Sequence, residues 1–169
     1  IVAIGEIGLD YHWTPETKDL QKREFVRQIE LANQVKKPVI VHTRDAIQDT
    51  YDLIKEHPPL YGCIMHAYSG SYEMAVEFIK LGCMISIGGV VTFKNARDVK
   101  KVAELVPLDC LLIETDAPYL TPTPFRGKRN EASYVRFVGH EIARIRNISV
   151  EELQSALISN YLKCFKRGF

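Results

Sequence analysis

The sequence predicts an α/β protein built on a parallel sheet. Short apolar runs rich in Ile, Val or Leu alternate with longer segments of helical periodicity. The runs are apolar throughout, which is typical of strands buried on both faces of a parallel sheet. Crossovers of this length between strands indicate βα units. Five strands are predicted, at 1–5, 39–41, 63–65, 84–87 and 111–113.

Each segment between the strands carries apolar residues three or four positions apart, the spacing of one buried helix face. The positions that define these faces are Phe25, Ile29, Ala32 and Val35; Ile47, Tyr51 and Ile54; Met74, Phe78 and Leu81; and Val99, Val102 and Val106. Two more helices follow the last strand. The second is predicted to begin with a capping box formed by Ser149 and Glu152.

Composition limits the possible classes. The 169 residues are 46% hydrophobic and 25% charged, which excludes a disordered tail, a collagen or a coiled coil and suits one domain spanning 1–169. The formal net charge of +1 argues neither for nor against a nucleic-acid partner. An apolar run long enough to span a membrane is absent from the sequence, so we expect no membrane partner.

Cysteine usage indicates the compartment. The four cysteines form no C-x-x-C pair, so a zinc ribbon or a redox dithiol is not predicted. We expect buried, reduced thiols and a cytoplasmic location.

Four predicted strands are followed by a carboxylate or an imidazole: Glu6, His42, His66 and Asp116. The carboxyl ends of parallel strands open on one face, so these side chains are expected to converge. Two imidazoles and two carboxylates suit a divalent ion such as Zn²⁺, Mn²⁺, Ni²⁺ or Mg²⁺. The alternative is a hydrogen-bonded polar cluster without a metal.

A basic loop follows the last predicted strand, with Arg126, Lys128 and Arg129 beside Asn130. Its cations could hold phosphate oxygens, or the loop could simply be solvated. Arg44 lies two residues after His42 and could reach the same site. Other polar residues in similar positions after their strands are Asp10, His12 and Ser69.

Several longer motifs resemble the TatD family of metal-dependent deoxyribonucleases, which belongs to the amidohydrolase-like barrels. The matching segments are AIGEIGLD at 3–10, PVIVHTRDA at 38–46, HAYSG at 66–70, GGVVTFKN at 88–95, LIETDAPYL at 112–120 and RGKRNE at 126–131. The resemblance implies a TIM-type (β/α)₈ barrel that hydrolyses DNA phosphodiester bonds, by exonucleolytic cleavage, with two divalent ions, Mg²⁺ in function. No obligate protein partner is implied.

The resemblance also assigns roles. Glu6 would bridge the two ions, and His42 and His66 would ligate the second. Asp116 would ligate the first ion and act as general base on the attacking water. Substrate phosphates would be held by Arg44, Arg126, Lys128, Arg129 and Asn130.

One family motif is missing. The His-x-His-x-Asp motif of the family's first strand, which completes the first metal site, does not occur in these residues. Only five of eight strands are predicted, and a whole barrel takes about 250 residues. We therefore expect the chain to begin at the fourth strand and to form the C-terminal two-thirds of a barrel. Residues 1–169 alone are not expected to be a competent enzyme.

Three interpretations stay open. The N-terminal third of a TatD-type nuclease lies outside this sequence; or the protein is a non-catalytic relative that lost three strands; or the barrel hydrolyses a small ester or amide. Two exposed apolar parallel edges would favour aggregation, which argues for the first interpretation. The basic loop favours a phosphodiester over an amide.

Overall fold

The computed structural model describes residues 1–165. Its strands follow one another in a parallel sheet in chain order: β1 Ile4–Asp10, β2 Val39–Arg44, β3 Cys63–Met65, β4 Cys83–Ile87 and β5 Leu111–Ile113. The α-helices of these residues are α1 Lys18–Gln34, α2 Ile47–Glu56, α3 Tyr72–Lys80, α4 Arg97–Leu105, α5 Val135–Arg146 and α6 Val150–Phe165. The alternation of strands and helices confirms the predicted α/β class.

The chain divides into two compact units. The first contains residues 1–66, 78–84 and 162–165. In it β1 pairs with β2 and β2 with β3, all parallel. Helix α1 packs on β1 and buries Phe25 and Ile29, two of the predicted core positions. The same unit buries Leu9, Val39 and Val41 completely.

The second unit contains residues 67–77 and 85–161. Strands β4 and β5 pair in parallel, with Ile85 opposite Leu111. Helix α5 packs against α4, and these helices bury Val102, Val138 and Ile142. This apolar interior supports the loops that follow β5.

The predicted limits of the first strand were wrong. Strand β1 begins at Ile4, and Ile1 is 96% exposed. The strand continues to Asp10 because Ile7, Gly8, Leu9 and Asp10 pair with successive residues of β2. Glu6 therefore lies inside a strand instead of following one. Strand β2 continues three residues past its predicted end, to Arg44, so His42 also lies inside a strand. Strand β4 begins one residue earlier than predicted, whereas β3 and β5 match their predicted ranges.

The predicted end of α1 was wrong, whereas the predicted cap of α6 is confirmed. Helix α1 ends at Gln34, so Val35 lies beyond it and is exposed, contrary to its predicted place on the buried face. The hydroxyl of Ser149 accepts the Glu152 N–H at 3.0 Å, as the predicted cap of α6 requires. Among residues 1–165, the structure contains no helix with the length and apolar character of a membrane span.

Candidate metal centre

Three of the predicted ligands meet in the first unit. His66 Nε2 lies 2.7 Å from Glu6 Oε1, and His42 Nδ1 lies 3.8 Å from Glu6 Oε2. His42 belongs to β2, and His66 follows β3 directly, with its N–H bonded to the Val41 carbonyl at 2.9 Å. The parallel pairing of β1, β2 and β3 therefore sets a carboxylate between two imidazoles.

A β-bulge directs Glu6. Ile4 pairs with Val39 and Ile7 with Val41, so three steps along β1 match two along β2. A bulge re-aims a side chain, and bulges are frequent next to functional sites. Here it falls at Gly5 and Glu6. A Cβ at Gly5 would lie 2.7 Å from the Ile40 Cβ, so only glycine fits the position before Glu6.

Gly8 brings the two strands together at His42. Its φ of 140° is rarely adopted by residues with a side chain, and a Cβ there would lie 2.0 Å from the His42 carbonyl oxygen. The Gly5-Glu6-Ile7-Gly8 segment thus combines a bulge with a close backbone approach. Together they place Glu6 beside His42.

Asp10 is a member of the cluster whose contact with His42 sequence reasoning did not anticipate. Its Oδ2 lies 3.0 Å from His42 Nε2, and its Oδ1 accepts the backbone N–H groups of His12 and Trp13 at 3.0 and 3.2 Å. The Gln21 side chain holds the Asp10 backbone, accepting from its N–H at 2.8 Å and donating to its carbonyl at 3.0 Å. Asp10 ends β1 opposite Arg44, a register that the sequence analysis did not give because it ended the first strand at residue 5.

The Asp10 contact defines the His42 tautomer. A carboxylate only accepts, so His42 carries its proton on Nε2 and donates it to Asp10. Nδ1 then faces Glu6, and in a neutral imidazole this atom has the lone pair that can bind an ion. This is the carboxylate–histidine arrangement that orients metal-ligating imidazoles in proteins.

The imidazoles lower the pKa of both carboxyl groups. The hydrogen bond from His66 is the main reason that the pKa of Glu6 lies below its ordinary value, against the opposing effect of partial burial. Burial raises the pKa of Asp10, but the hydrogen bonds from His42, Trp13 and His12 outweigh it and lower the pKa overall. Both groups are carboxylates at neutral pH.

The donor set fits a divalent ion. Protein N and O ligands bind such ions at about 2.0–2.2 Å, so two ligand atoms on one ion are roughly 3 Å apart. The contact of 2.7 Å between Glu6 and His66 has this scale, and both residues belong to a group able to share an ion. The contact of 3.8 Å to His42 Nδ1 requires only a small adjustment.

The second unit carries Asp116, which follows β5. Its backbone is left-handed with φ 53°, and its carbonyl accepts the Tyr119 N–H at 2.8 Å. Asp is one of the few side chains that tolerate this conformation. Whether its carboxylate shares an ion with Glu6 stays a prediction.

Glu114 lies two residues earlier and was not singled out from the sequence. Its carboxylate accepts the Ala67 N–H and the Ser86 hydroxyl, each at 2.6 Å. Its own N–H continues the ladder to the Ile87 carbonyl at 3.1 Å. Glu114 therefore ties the end of β5 to its surroundings. The signal was its place directly after the strand.

The predicted phosphate-binding loop is exposed. The guanidinium of Arg126 lies 4.2 Å from the centroid of Phe93, and the Lys128 ammonium lies 5.7 Å from that of Phe125. Arg129 lines an open cleft of about 530 Å³ that begins at Ala117, next to Asp116. The loop therefore offers cations to solvent beside the segment that carries the predicted base.

Asn130 differs from its neighbours in this loop, because it is only 3% exposed. Its amide donates to the carbonyls of Thr115 and Tyr119, both at 2.6 Å, and its oxygen accepts the Glu131 N–H at 2.9 Å. These bonds hold the turn that contains Asp116. A substrate contact by Asn130 stays a prediction.

Arg44 ends β2 in the first unit and is exposed. Its guanidinium lies 5.5 Å from the centroid of the Trp13 ring. His12, also considered from the sequence, pairs with Asp45 at 3.2 Å. Arg44 contacts Trp13, and the backbone of Trp13 is held by Asp10, which also contacts His42. Arg44 therefore lies close to the cluster formed by Glu6, His42 and His66.

Comparisons with known proteins agree on one family. The chain is 49% identical to the uncharacterized metal-dependent hydrolase YabD of Bacillus subtilis, over 98% of this chain and 66% of that protein. It is 43% identical to the uncharacterized metal-dependent hydrolase YcfH of Escherichia coli K12, over 98% of this chain and 63% of that protein. The chain thus spans slightly less than two-thirds of the curated relatives it matches.

Solved structures give the same result. The crystal structure of YJJV, a TatD homolog from Escherichia coli K12, matches with a TM-score of 0.92 and 32% identity, covering 98% of this chain and 64% of that one. A hydrolase TatD family protein from Entamoeba histolytica matches in fold, with a TM-score of 0.85 and 23% identity, covering 98% of this chain and 63% of that one. The predicted barrel-type α/β fold is confirmed. The family model described as TatD related DNase matches residues 1–166, which shows that the chain belongs to the TatD family.

Proposed function

We propose that the protein is a metal-dependent hydrolase that cleaves phosphodiester bonds in DNA with a water activated at a centre of two divalent ions. The observation that supports this most is the carboxylate of Glu6 set between His66 at 2.7 Å and His42 at 3.8 Å. Family membership adds to it, since the model is that of a TatD related DNase and the relatives are named metal-dependent hydrolases.

The residues of the first unit would hold one ion. Glu6, His66 and the Nδ1 atom of His42 are the ligands, and Asp10 keeps the His42 proton on the opposite nitrogen. Three protein ligands with an open position are typical of catalytic metal sites. A divalent ion supplies Lewis-acid polarisation of a phosphoryl oxygen and lowers the pKa of water. Mg²⁺ is our proposal for the ion in function, with Zn²⁺, Mn²⁺ or Ni²⁺ as other candidates.

Asp116 would serve as the general base and ligate the other ion. It lies in the turn that follows β5, and the buried Asn130 amide fixes that turn. The His-x-His motif that completes the first ion's site in the family is absent from residues 1–169.

The basic loop would bind the substrate backbone. Arg126, Lys128 and Arg129 are exposed, so their charges are available to phosphate oxygens in water. Anion binding by several cations distinguishes a phosphodiester substrate from a neutral ester or amide.

The test uses the full-length protein, short single-stranded and duplex DNA, and a neutral ester of similar reactivity. We expect DNA cleavage that requires a divalent cation and stops with a chelator. Cleavage of the ester with no cleavage of DNA would replace the nuclease by an amidohydrolase-like activity. If the protein cleaves neither DNA nor the ester at full metal occupancy, the result would favour a non-catalytic relative.

A further inference from the structure

The loop between β1 and α1 presents a tryptophan to solvent. Trp13 is 71% exposed and is the single tryptophan among the 169 residues. Isolated exposed apolar side chains are common on protein surfaces, so exposure alone does not mark a site. The contacts around this ring distinguish it.

Two side chains orient the Trp13 ring. The Arg44 guanidinium lies 5.5 Å from its centroid, within range of a cation–π interaction. The His12 ring meets it edge-on, with centroids 4.8 Å apart and planes at 88°. The indole is therefore held in place although most of its surface is in contact with water.

The backbone beneath the ring is also fixed. The N–H groups of His12 and Trp13 both donate to Asp10 Oδ1. The Tyr11 N–H donates to the Arg44 carbonyl at 2.9 Å, and the Tyr11 hydroxyl donates to Asp49 at 2.7 Å. A ligand that stacks on Trp13 would consequently meet an ordered surface and lose little free energy to ordering it.

The position of the ring connects it to the metal centre. Asp10 bonds the Trp13 backbone with one oxygen and His42 with the other, at 3.2 and 3.0 Å. An aromatic face with an adjacent guanidinium is the combination by which proteins bind single-stranded nucleic acid, the ring stacking on a base and the cation meeting the backbone. A neutral peptide or a lipid would not need the guanidinium.

We propose that Trp13 is a stacking platform for a nucleobase of single-stranded DNA, with Arg44 contacting the adjoining phosphate. The proposal rests on the DNA-cleaving function proposed above and assigns a base-binding residue beside the Glu6 centre. Stacking uses the face of any base, so the platform gives affinity for single strands without sequence preference.

The experiment measures equilibrium binding by the full-length protein in chelator, so that no cleavage occurs. The probes are a short labelled thymidine oligonucleotide and an abasic oligonucleotide with the same number of phosphates. We expect Trp13→Ala to weaken binding of the thymidine strand about 5- to 150-fold, which corresponds to the stacking of one base. Binding of the abasic strand should not change, and Trp13→Phe should keep most of the affinity.

Tyr161→Ala is the matched control, because Tyr161 is an aromatic residue 55% exposed on α6. It should bind both strands as the unmodified protein does. Equal affinity of Trp13→Ala and the unmodified protein for the thymidine strand would overturn the proposal, and so would an equal loss on the abasic strand. Normal stacking without metal-dependent cleavage would contradict the proposed hydrolase and leave the platform standing. No binding to either strand by the unmodified protein would contradict both.

Discussion

The Glu6 cluster and the basic loop both carry the charged groups of the proposed function, but they are organised in opposite ways. In the cluster, the exposed carboxylate of Glu6 pairs with His66 and His42, and His42 pairs with Asp10. Both histidines and Asp10 are half-buried. In the loop, Arg126 and Lys128 lie over aromatic rings and are exposed. Fixed, partly desolvated groups suit chemistry at defined atoms, whereas exposed cations suit long-range attraction of a polyanion.

This comparison predicts different kinds of damage. A change in the cluster or at the base should alter metal binding or the chemical step. A change in the loop should alter DNA affinity and its salt dependence.

The largest effect is expected at Asp116. Asp116→Asn should lower the rate of DNA hydrolysis by about 10²- to 10⁴-fold, because an amide cannot accept the proton of the attacking water. Single-turnover rates together with the metal content of the purified full-length protein test this. A retained rate at unchanged metal occupancy would show that Asp116 is not the base.

The second prediction concerns Asp10. In Asp10→Asn the amide oxygen must still accept the backbone N–H groups of His12 and Trp13, so the amide nitrogen faces His42 Nε2. His42 would then carry its proton on Nδ1, the atom facing Glu6. We expect metal affinity to fall about 10- to 100-fold, as for other lost partners of metal-ligating histidines.

Nitrogen NMR shifts of the His42 ring in chelator report the tautomer directly, and metal titration reports the affinity. Asp45→Asn is the matched control, because Asp45 also pairs with a histidine, His12, at 3.2 Å. It should leave both readouts unchanged. An unaltered His42 tautomer in Asp10→Asn would refute the positioning role.

The third prediction tests the loop. Replacing Lys128 and Arg129 together by Ala should weaken binding of single-stranded DNA and reduce the salt slope of log affinity by about 1.4, or about 0.7 for each lost phosphate contact. Metal affinity should stay constant. Arg27→Ala is the control, since Arg27 is an exposed cation of α1. An unchanged salt slope in the double variant would mean that the loop is merely solvated.

The smallest effect is expected at Asp49, which braces the Trp13 loop through Tyr11. The hydrogen bonds from Lys22 and then Tyr11 hold the pKa of Asp49 below its ordinary value of 3.8. Its folded pKa is thus lower than its unfolded one, so the stabilisation is complete above about pH 3.8 and is lost as the pH falls through the folded value. Urea unfolding should show Asp49→Asn less stable at neutral pH, with the difference shrinking in acid. A difference that is constant with pH would contradict this.

The parts of the molecule that were predictable from sequence are those set by periodicity. The apolar runs gave the correct limits of β3 and β5, and the parallel order of the strands predicted that His42 and His66 lie near Glu6. The limits of β1 were missed because a bulge at Gly5 and Glu6 interrupts pairing that resumes at Ile7. The spacing of apolar residues in the sequence does not indicate where such a bulge occurs.

The Asp10 contact and the buried state of Asn130 were missed for another reason. Both depend on which atoms of a polar side chain meet backbone groups distant in sequence, such as the Asn130 amide on the Thr115 carbonyl. In the sequence, Asn130 follows three cations and was therefore grouped with them as a substrate contact. In the structure, its hydrogen bonds make it part of the turn at Asp116. Spacing gives the strand that a residue follows, but not the direction of its side chain.

The central claim is that Glu6, His42 and His66 hold a divalent ion. The most direct measurement is metal titration of the full-length protein, comparing His66→Ala with His57→Ala. Both histidines face a glutamate, His66 at 2.7 Å from Glu6 and His57 at 3.9 Å from Glu56. We predict that His66→Ala loses one ion or weakens its binding by more than about 100-fold, beyond the effect of a lost supporting partner, while His57→Ala binds as the unmodified protein does. Equal stoichiometry and affinity in the two variants would contradict the claim.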